Sequence, residues 1–127
     1  MPHFTIEYSA ELDDHPDVVM TDVVELVRQA AVETGIFPLG GIRVRAVPCR
    51  HVAMADGRKG LLFLAMVLRM GEGRDLDTRK AATGHIFAAL QRYFKVLLAT
   101  NTLALSFDTQ INEAATSWKA NTIHDLF

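Results

Sequence analysis

Apolar and polar residues alternate from Pro2 to Tyr8. Phe4, Ile6 and Tyr8 fall on one side, His3, Thr5 and Glu7 on the other, which is the period of a half-buried strand. Ser9 to Pro16 is polar and reads as a loop. From Asp17 the period lengthens: Met20, Val23, Val24, Val27, Ala30, Ala31 and Thr34 recur at the spacing of an amphipathic helix. Asp14 or Asp17 is placed to cap its start, and Gly35 stands where a left-handed residue ends a helix. Ile36-Phe37-Pro38-Leu39-Gly40-Gly41 is a connector. Ile42 to Ala55 reads as a long strand in which Ile42, Val44 and Ala46 oppose Arg43 and Arg45. Pro48, which lacks an N–H, implies an edge position or a bulge. Asp56-Gly57 is a turn pair. Leu61 to Met70 is apolar on both alternating sides, as in a strand buried on both faces. Gly71-Glu72-Gly73 breaks it. A second helix runs from about Asp75 to Leu98 with the stripe Ala82, Ile86, Ala89, Leu90, Tyr93 and Leu97. Leu103, Leu105 and Phe107 alternate with Ala104, Ser106 and Asp108 in a fourth strand. The remainder to Phe127 is short and mixed, irregular or in short strand pieces, with Trp118 expected to pack.

This order is strand–helix–strand, repeated. It predicts one α+β domain over residues 1–127, with pseudo-repeats at about 2–55 and 61–109 and a C-terminal extension at 110–127. Each unit is expected to be a right-handed crossover between parallel strands. Together they give a four-stranded mixed sheet with two helices on one face. The other face then has no helix to cover it, although the Leu61–Met70 strand is apolar on both sides. Burying a large aliphatic side chain contributes roughly 1.5–3 kcal/mol, so an open apolar face favours self-association. An oligomer is expected; the alternative is a C-terminal segment folded back over that face.

Composition narrows the function classes. The 127 residues carry 13 Lys and Arg against 15 Asp and Glu, a net charge of −2. That balance gives no electrostatic footprint for nucleic acid or an acidic membrane. One cysteine, Cys49, excludes an intrachain disulfide. The longest apolar run, Leu61–Leu68, falls far short of the roughly 20 residues a membrane helix needs. The first residues lack the pattern of a signal peptide. A cytoplasmic globular protein is the expectation.

Candidate chemistry concentrates in three places. Metal binding is not expected: Cys49 and His51 would point the same way on a strand, but two ligands do not make a site. There is no Gly-x-Ser-x-Gly elbow and no phosphate loop. Pro2 follows the initiator methionine, which is normally removed before so small a residue. Removal exposes a secondary amine at the head of a strand; with Met1 in place the same nitrogen is an amide without a basic lone pair. An apolar pocket or a neighbouring cation lowers the pKa of such an amine from the ordinary value of about 7.7–8.0 and makes it a usable base. Arg43 follows a glycine pair, and Arg74 follows Gly71-Glu72-Gly73 at a strand-to-helix junction. Arg45 shares Arg43's alternation and is read as structural or as a support behind the site residues. Phe37 and Phe107 are candidates for an apolar pocket wall or for the core.

Five segments in order carry a resemblance: Pro2-His3-Phe4, Thr34 through Arg43, Met54-Ala55-Asp56-Gly57, Gly71-Glu72-Gly73-Arg74 and Ala104-Leu105-Ser106-Phe107. Together they resemble the 5-carboxymethyl-2-hydroxymuconate isomerase family of the tautomerase superfamily, across essentially the whole chain. The loop before the first helix matches least. The resemblance implies a homotrimer of β-α-β repeats and cofactor-free catalysis by an amino-terminal proline. It also implies a dienol substrate with several carboxylates, from aerobic breakdown of homoprotocatechuate (4-hydroxyphenylacetate). Pro2 matches the family's catalytic proline. Arg43 and Arg74 match its two arginines for carboxylate binding and polarisation of the 2-oxo group. Other readings are a related tautomerase or dehalogenase acting on another enol acid, or a non-catalytic trimeric binding module.

Overall fold

The computed structural model describes all 127 residues. Strands β1 (His3–Ser9), β2 (Arg43–Cys49), β3 (Leu61–Gly71) and β4 (Thr102–Asn112) form one sheet in the order β2-β1-β3-β4. β1 runs parallel to β2 and β3 parallel to β4, while β1 and β3 pair antiparallel. Each strand–helix–strand unit therefore contributes a parallel pair, and the two pairs join through their first strands. The sheet is mixed, as expected. Helices α1 (Met20–Thr34) and α2 (Leu76–Tyr93) pack side by side over one face, and a short α3 (Lys95–Thr100) leads into β4.

The core lies between that face and the helices. Phe4, Ile6 and Tyr8 from β1 and Leu64, Met66, Leu68 and Met70 from β3 are buried there. They meet Val23, Val27, Ala30 and Ala31 of α1 and Ile86, Ala89 and Leu90 of α2, the stripes that helical spacing picks out. On the opposite face Phe63, Ala65 and Val67 are only half-buried, and the neighbouring Glu7 and Arg69 are exposed.

The element limits differ from the sequence expectation in instructive ways. β2 stops at Cys49 instead of reaching Ala55. Pro48 sits on this edge strand, where its missing N–H costs no ladder bond, and the chain beyond turns through Asp56-Gly57 with Gly57 at φ 83°. The Ser9–Pro16 loop contains a 3₁₀ turn, Ala10–Asp14, that inserts Leu12 fully into the core. Neither Asp14 nor Asp17 caps α1. Val19 is the N-cap residue, and its N–H donates to the Tyr93 hydroxyl at 2.9 Å. Gly35 does end α1, at φ 70°. The second helix breaks at Phe94, a fully buried residue at φ −91°, ψ 12°. β4 continues to Asn112, so the C-terminal extension begins within a strand.

Candidate active site

The amino end is held by the sheet. β1 and β2 are in register with His3 opposite Arg43, and one further bond extends the ladder: the Arg43 N–H donates to the Pro2 carbonyl at 3.1 Å. Pro2 is buried. The connector from α1 reaches β2 through a 3₁₀ turn, Leu39–Gly41, that passes close to it. A Cβ on Gly41 would lie 3.3 Å from Pro2 Cδ, so glycine lets the backbone approach the proline ring.

The two arginines reach this end from different elements. Arg43 begins β2 and turns its side chain back along the connector, where Nη1 donates to the carbonyls of Gly41 (2.7 Å) and Gly40 (3.3 Å). Arg74 lies between β3 and α2, just after Gly73 at φ 122°. Its Nε and Nη2 donate to the Ile36 carbonyl at 3.0 and 2.7 Å. Its guanidinium carbon lies 5.4 Å from the centroid of Phe37, within cation–π range. Phe37 is buried and meets Phe4 edge-on at 5.8 Å. Arg43 Nε and Nη2 and Arg74 Nη1 make no hydrogen bond within the chain, and neither arginine pairs with a carboxylate. Both are half-buried. The arrangement is a pair of anchored guanidinium groups with donors to spare, beside a buried proline and an aromatic wall.

The electrostatics follow from this placement. The Met1 amino group sits below the range of an ordinary amino terminus, first because burial penalises its charged form, then because the cations Lys119, Arg74 and Arg43 repel the added proton. Pro2 nitrogen is an amide while Met1 is attached; removal of Met1 transfers the amine to Pro2, one residue deeper. His3 is lowered as well, by burial and then by Arg69, Arg45, Arg43 and the amino terminus. Arg45, read as structural, lies on the open sheet face with Nη1 3.2 Å from His3 Nδ1.

Pro2, Arg43, Arg74 and Phe37 thus meet in one region. Phe107 belongs to the core, half-buried and 6.3 Å from Phe4. What sequence reasoning missed is the C-terminal segment. It does not cover the open sheet face. It crosses the amino end instead, with a 3₁₀ turn, Ile123–Leu126, seated on Leu39–Gly41. A Cβ on Gly40 would stand 2.9 Å from His124 Nδ1 and 3.2 Å from His124 Cα, and Asn121 Nδ2 lies 3.2 Å from Met1 Sδ. Met1, His3, Arg69, Trp118 and Lys119 are among the residues lining a cleft of about 430 Å³ here. Trp118 packs against little within the chain, contrary to expectation: it is 89% exposed. The sequence offers one hint of this strap, a consecutive glycine pair, and that pair is equally consistent with a plain connector.

Comparison with known proteins gives a consistent picture. The family model described as 5-carboxymethyl-2-hydroxymuconate isomerase matches residues 2–127. A 5-carboxymethyl-2-hydroxymuconate Delta-isomerase from Escherichia coli is 34% identical over 127 residues, covering 100% of this chain and 99% of that protein. The crystal structure of a 5-carboxymethyl-2-hydroxymuconate isomerase from Deinococcus radiodurans R1 superposes with a TM-score of 0.89 at 31% identity, covering 98% of this chain and 92% of that one. A fused 4-OT, described as a symmetric trimer, shares the fold at a TM-score of 0.67 and 15% identity, covering 94% of this chain and 92% of that one.

Proposed function

The chain belongs to the 5-carboxymethyl-2-hydroxymuconate isomerase family, and from that premise we propose that it isomerises 5-carboxymethyl-2-hydroxymuconate with Pro2 as general base and acid. The reaction needs no cofactor. The substrate is a 2-hydroxy-2,4-diene and the product its 2-oxo-3-ene isomer. The Pro2 amine takes the hydroxyl proton; the O–H electrons form the C=O bond, the 2,3 double bond moves to 3,4, and the 4,5 pair takes a proton at C5. The ammonium formed in the first step supplies that proton, so the amine is regenerated. Proline suits this shuttle because its ring and the Pro2–Arg43 ladder bond restrict its motion. Arg43 and Arg74 bind carboxylates through their free donors and stabilise the charge that develops on the 2-oxygen. Phe37 forms the apolar wall and orients Arg74.

The observation that carries this reading is the convergence of two unpaired, half-buried guanidinium groups on a buried chain start. A monocarboxylate enol would need only one of them. The working form is a homotrimer: an open sheet face with Phe63, Ala65 and Val67 half-buried supports association, and a protein of the same fold is described as a symmetric trimer. No helix is long and apolar enough to cross a membrane, and the chemistry fits cytoplasmic breakdown of homoprotocatechuate.

The test is ultraviolet absorbance with the tricarboxylate dienol and with phenylenolpyruvate, on protein whose first residue has been read by mass spectrometry. Protein beginning at Pro2 turns over the tricarboxylate faster. Protein that keeps Met1 or any added residue loses at least about 10²-fold, the usual worth of general acid–base catalysis. Equal rates from blocked and unblocked chains would eliminate the proline mechanism.

A further inference from the structure

The substrate proposed above bears three carboxylates, two from the muconate chain and one from the carboxymethyl arm, yet the sequence motifs supply two cations. A third stands at the same end of the molecule. Lys119 lines the cleft beside Met1 and is the cation acting most strongly on the amino group there, ahead of Arg74 and Arg43. It forms no salt bridge and no side-chain hydrogen bond within the chain. Its position comes from the strap that carries it. Asn121 Nδ2 touches Met1 Sδ while Met1 is attached; the strap's own turn does not depend on that residue, because the Asn121 side-chain oxygen accepts from the Ile123 N–H at 2.8 Å. His124 and Phe127 then lie against Gly40, with no room for a Cβ between. Other charged residues on the cleft are Arg69 and Glu113, with His3 alongside.

We propose that Lys119 is a specificity-determining residue of this site: its ammonium binds the carboxylate of the carboxymethyl arm, and the 119–127 strap, seated on Gly40, holds it over Pro2. The inference rests on the tricarboxylate reading of the site. A lysine suits the arm because a flexible ammonium can follow a rotatable carboxylate, whereas the anchored arginines present fixed forks.

The experiment compares 5-carboxymethyl-2-hydroxymuconate with 2-hydroxymuconate, the same dienol without the arm, in wild type, Lys119→Met, Lys119→Arg and Gly40→Ala. In Lys119→Met, assayed at a pH above the amine's midpoint in both proteins, the ratio of kcat/KM for the tricarboxylate over the dicarboxylate falls about tenfold or more, through KM, while kcat on the tricarboxylate changes little. Lys119→Arg restores most of the ratio. Gly40→Ala, which forces the strap outward without touching Lys119, lowers the ratio in the same direction. An unchanged ratio in Lys119→Met, or an equal loss on both dienols, overturns the proposal. Binding of propane-1,2,3-tricarboxylate against glutarate, followed by NMR titration, gives the same ratio without turnover. If wild type turns over neither dienol, the isomerase reading fails, and the binding ratio still decides the role of Lys119: a preference for the tricarboxylate lost in Lys119→Met supports it, and no difference between the two proteins refutes it.

Discussion

Arg43 and Arg74 are fixed to backbone carbonyls before any ligand arrives, so little rotamer freedom remains to be lost on binding. Removing either guanidinium deletes one or more charge-assisted bonds, each worth about 1.5–3 kcal/mol. Arg43→Ala and Arg74→Ala are each expected to lower kcat/KM on the tricarboxylate dienol by about 10- to 150-fold with circular dichroism unchanged; wild-type rates in both would refute their roles. Arg74→Lys recovers only part of the loss, because one ammonium cannot keep the two bonds to Ile36 and still offer a planar fork. The amine also has a pH signature. It must be unprotonated to act as base, so kcat/KM of the processed enzyme rises as pH climbs through its pKa. Removal of Met1 would place the amine among the groups that lower the Met1 amino group, burial first and then the cations, so the midpoint is expected below the ordinary α-amino range of about 7.7–8.0. A midpoint at or above that range contradicts the placement. That Pro2, Arg43 and Arg74 lie at one end of the molecule was foreshadowed in the sequence, because each candidate is flagged by its backbone setting: a chain start, a glycine pair, a glycine-flanked junction. The placement of the segment carrying Lys119 and His124 was not, since it has no periodicity and takes its position from tertiary contacts such as its seat on Gly40.

Among the elements, α2 shows how local chemistry decides a boundary. Asp75 accepts from the Thr78 N–H at 2.8 Å, and those bonds hold its carboxyl below the usual range. The cap therefore stabilises above the ordinary carboxylate pKa of about 3.9 and is lost as pH falls through the lowered value. Asp75→Ala is expected to lower the thermal midpoint at pH 7, with the gap to wild type narrowing toward pH 3 in a melting series; a gap independent of pH would show that the carboxylate charge plays no part. The apolar stripe of the same helix was fully readable, and Ile86, with no exposed surface, tests it. Ile86→Ala leaves a cavity under the sheet and is expected to cost about 2–5 kcal/mol in urea unfolding. Below about 1 kcal/mol, Ile86 would not be the core residue described. The start of α1 was misread for a physical reason. Its first free N–H is satisfied by Tyr93 from 74 residues away in sequence, and no local pattern encodes a tertiary cap. β2 was read too long because Val52 to Ala55 is again apolar beyond Pro48, whereas pairing partners do not continue: β1 ends at Ser9, opposite Cys49.

For the whole molecule, the doubled strand–helix–strand order was enough to derive the sheet, but strand order and assembly draw on longer-range information. The antiparallel β1–β3 pairing joins the halves and leaves the helix-free face as one surface across both. A charge at its centre tests the homotrimer proposed above. Val67→Glu is expected to shift the protein toward monomer in sedimentation analysis while its helix content persists, and a trimer of unchanged stability would remove this face from the interface. The Arg43–Pro2 rung also has a use of its own. Because the Arg43 amide proton is tied to the Pro2 carbonyl, its deuterium uptake times how often the amino end lifts away from the edge strand. A slow exchange there, lengthened further by added tricarboxylate, would make one backbone hydrogen a gauge of how firmly the proposed catalytic end of the chain is docked.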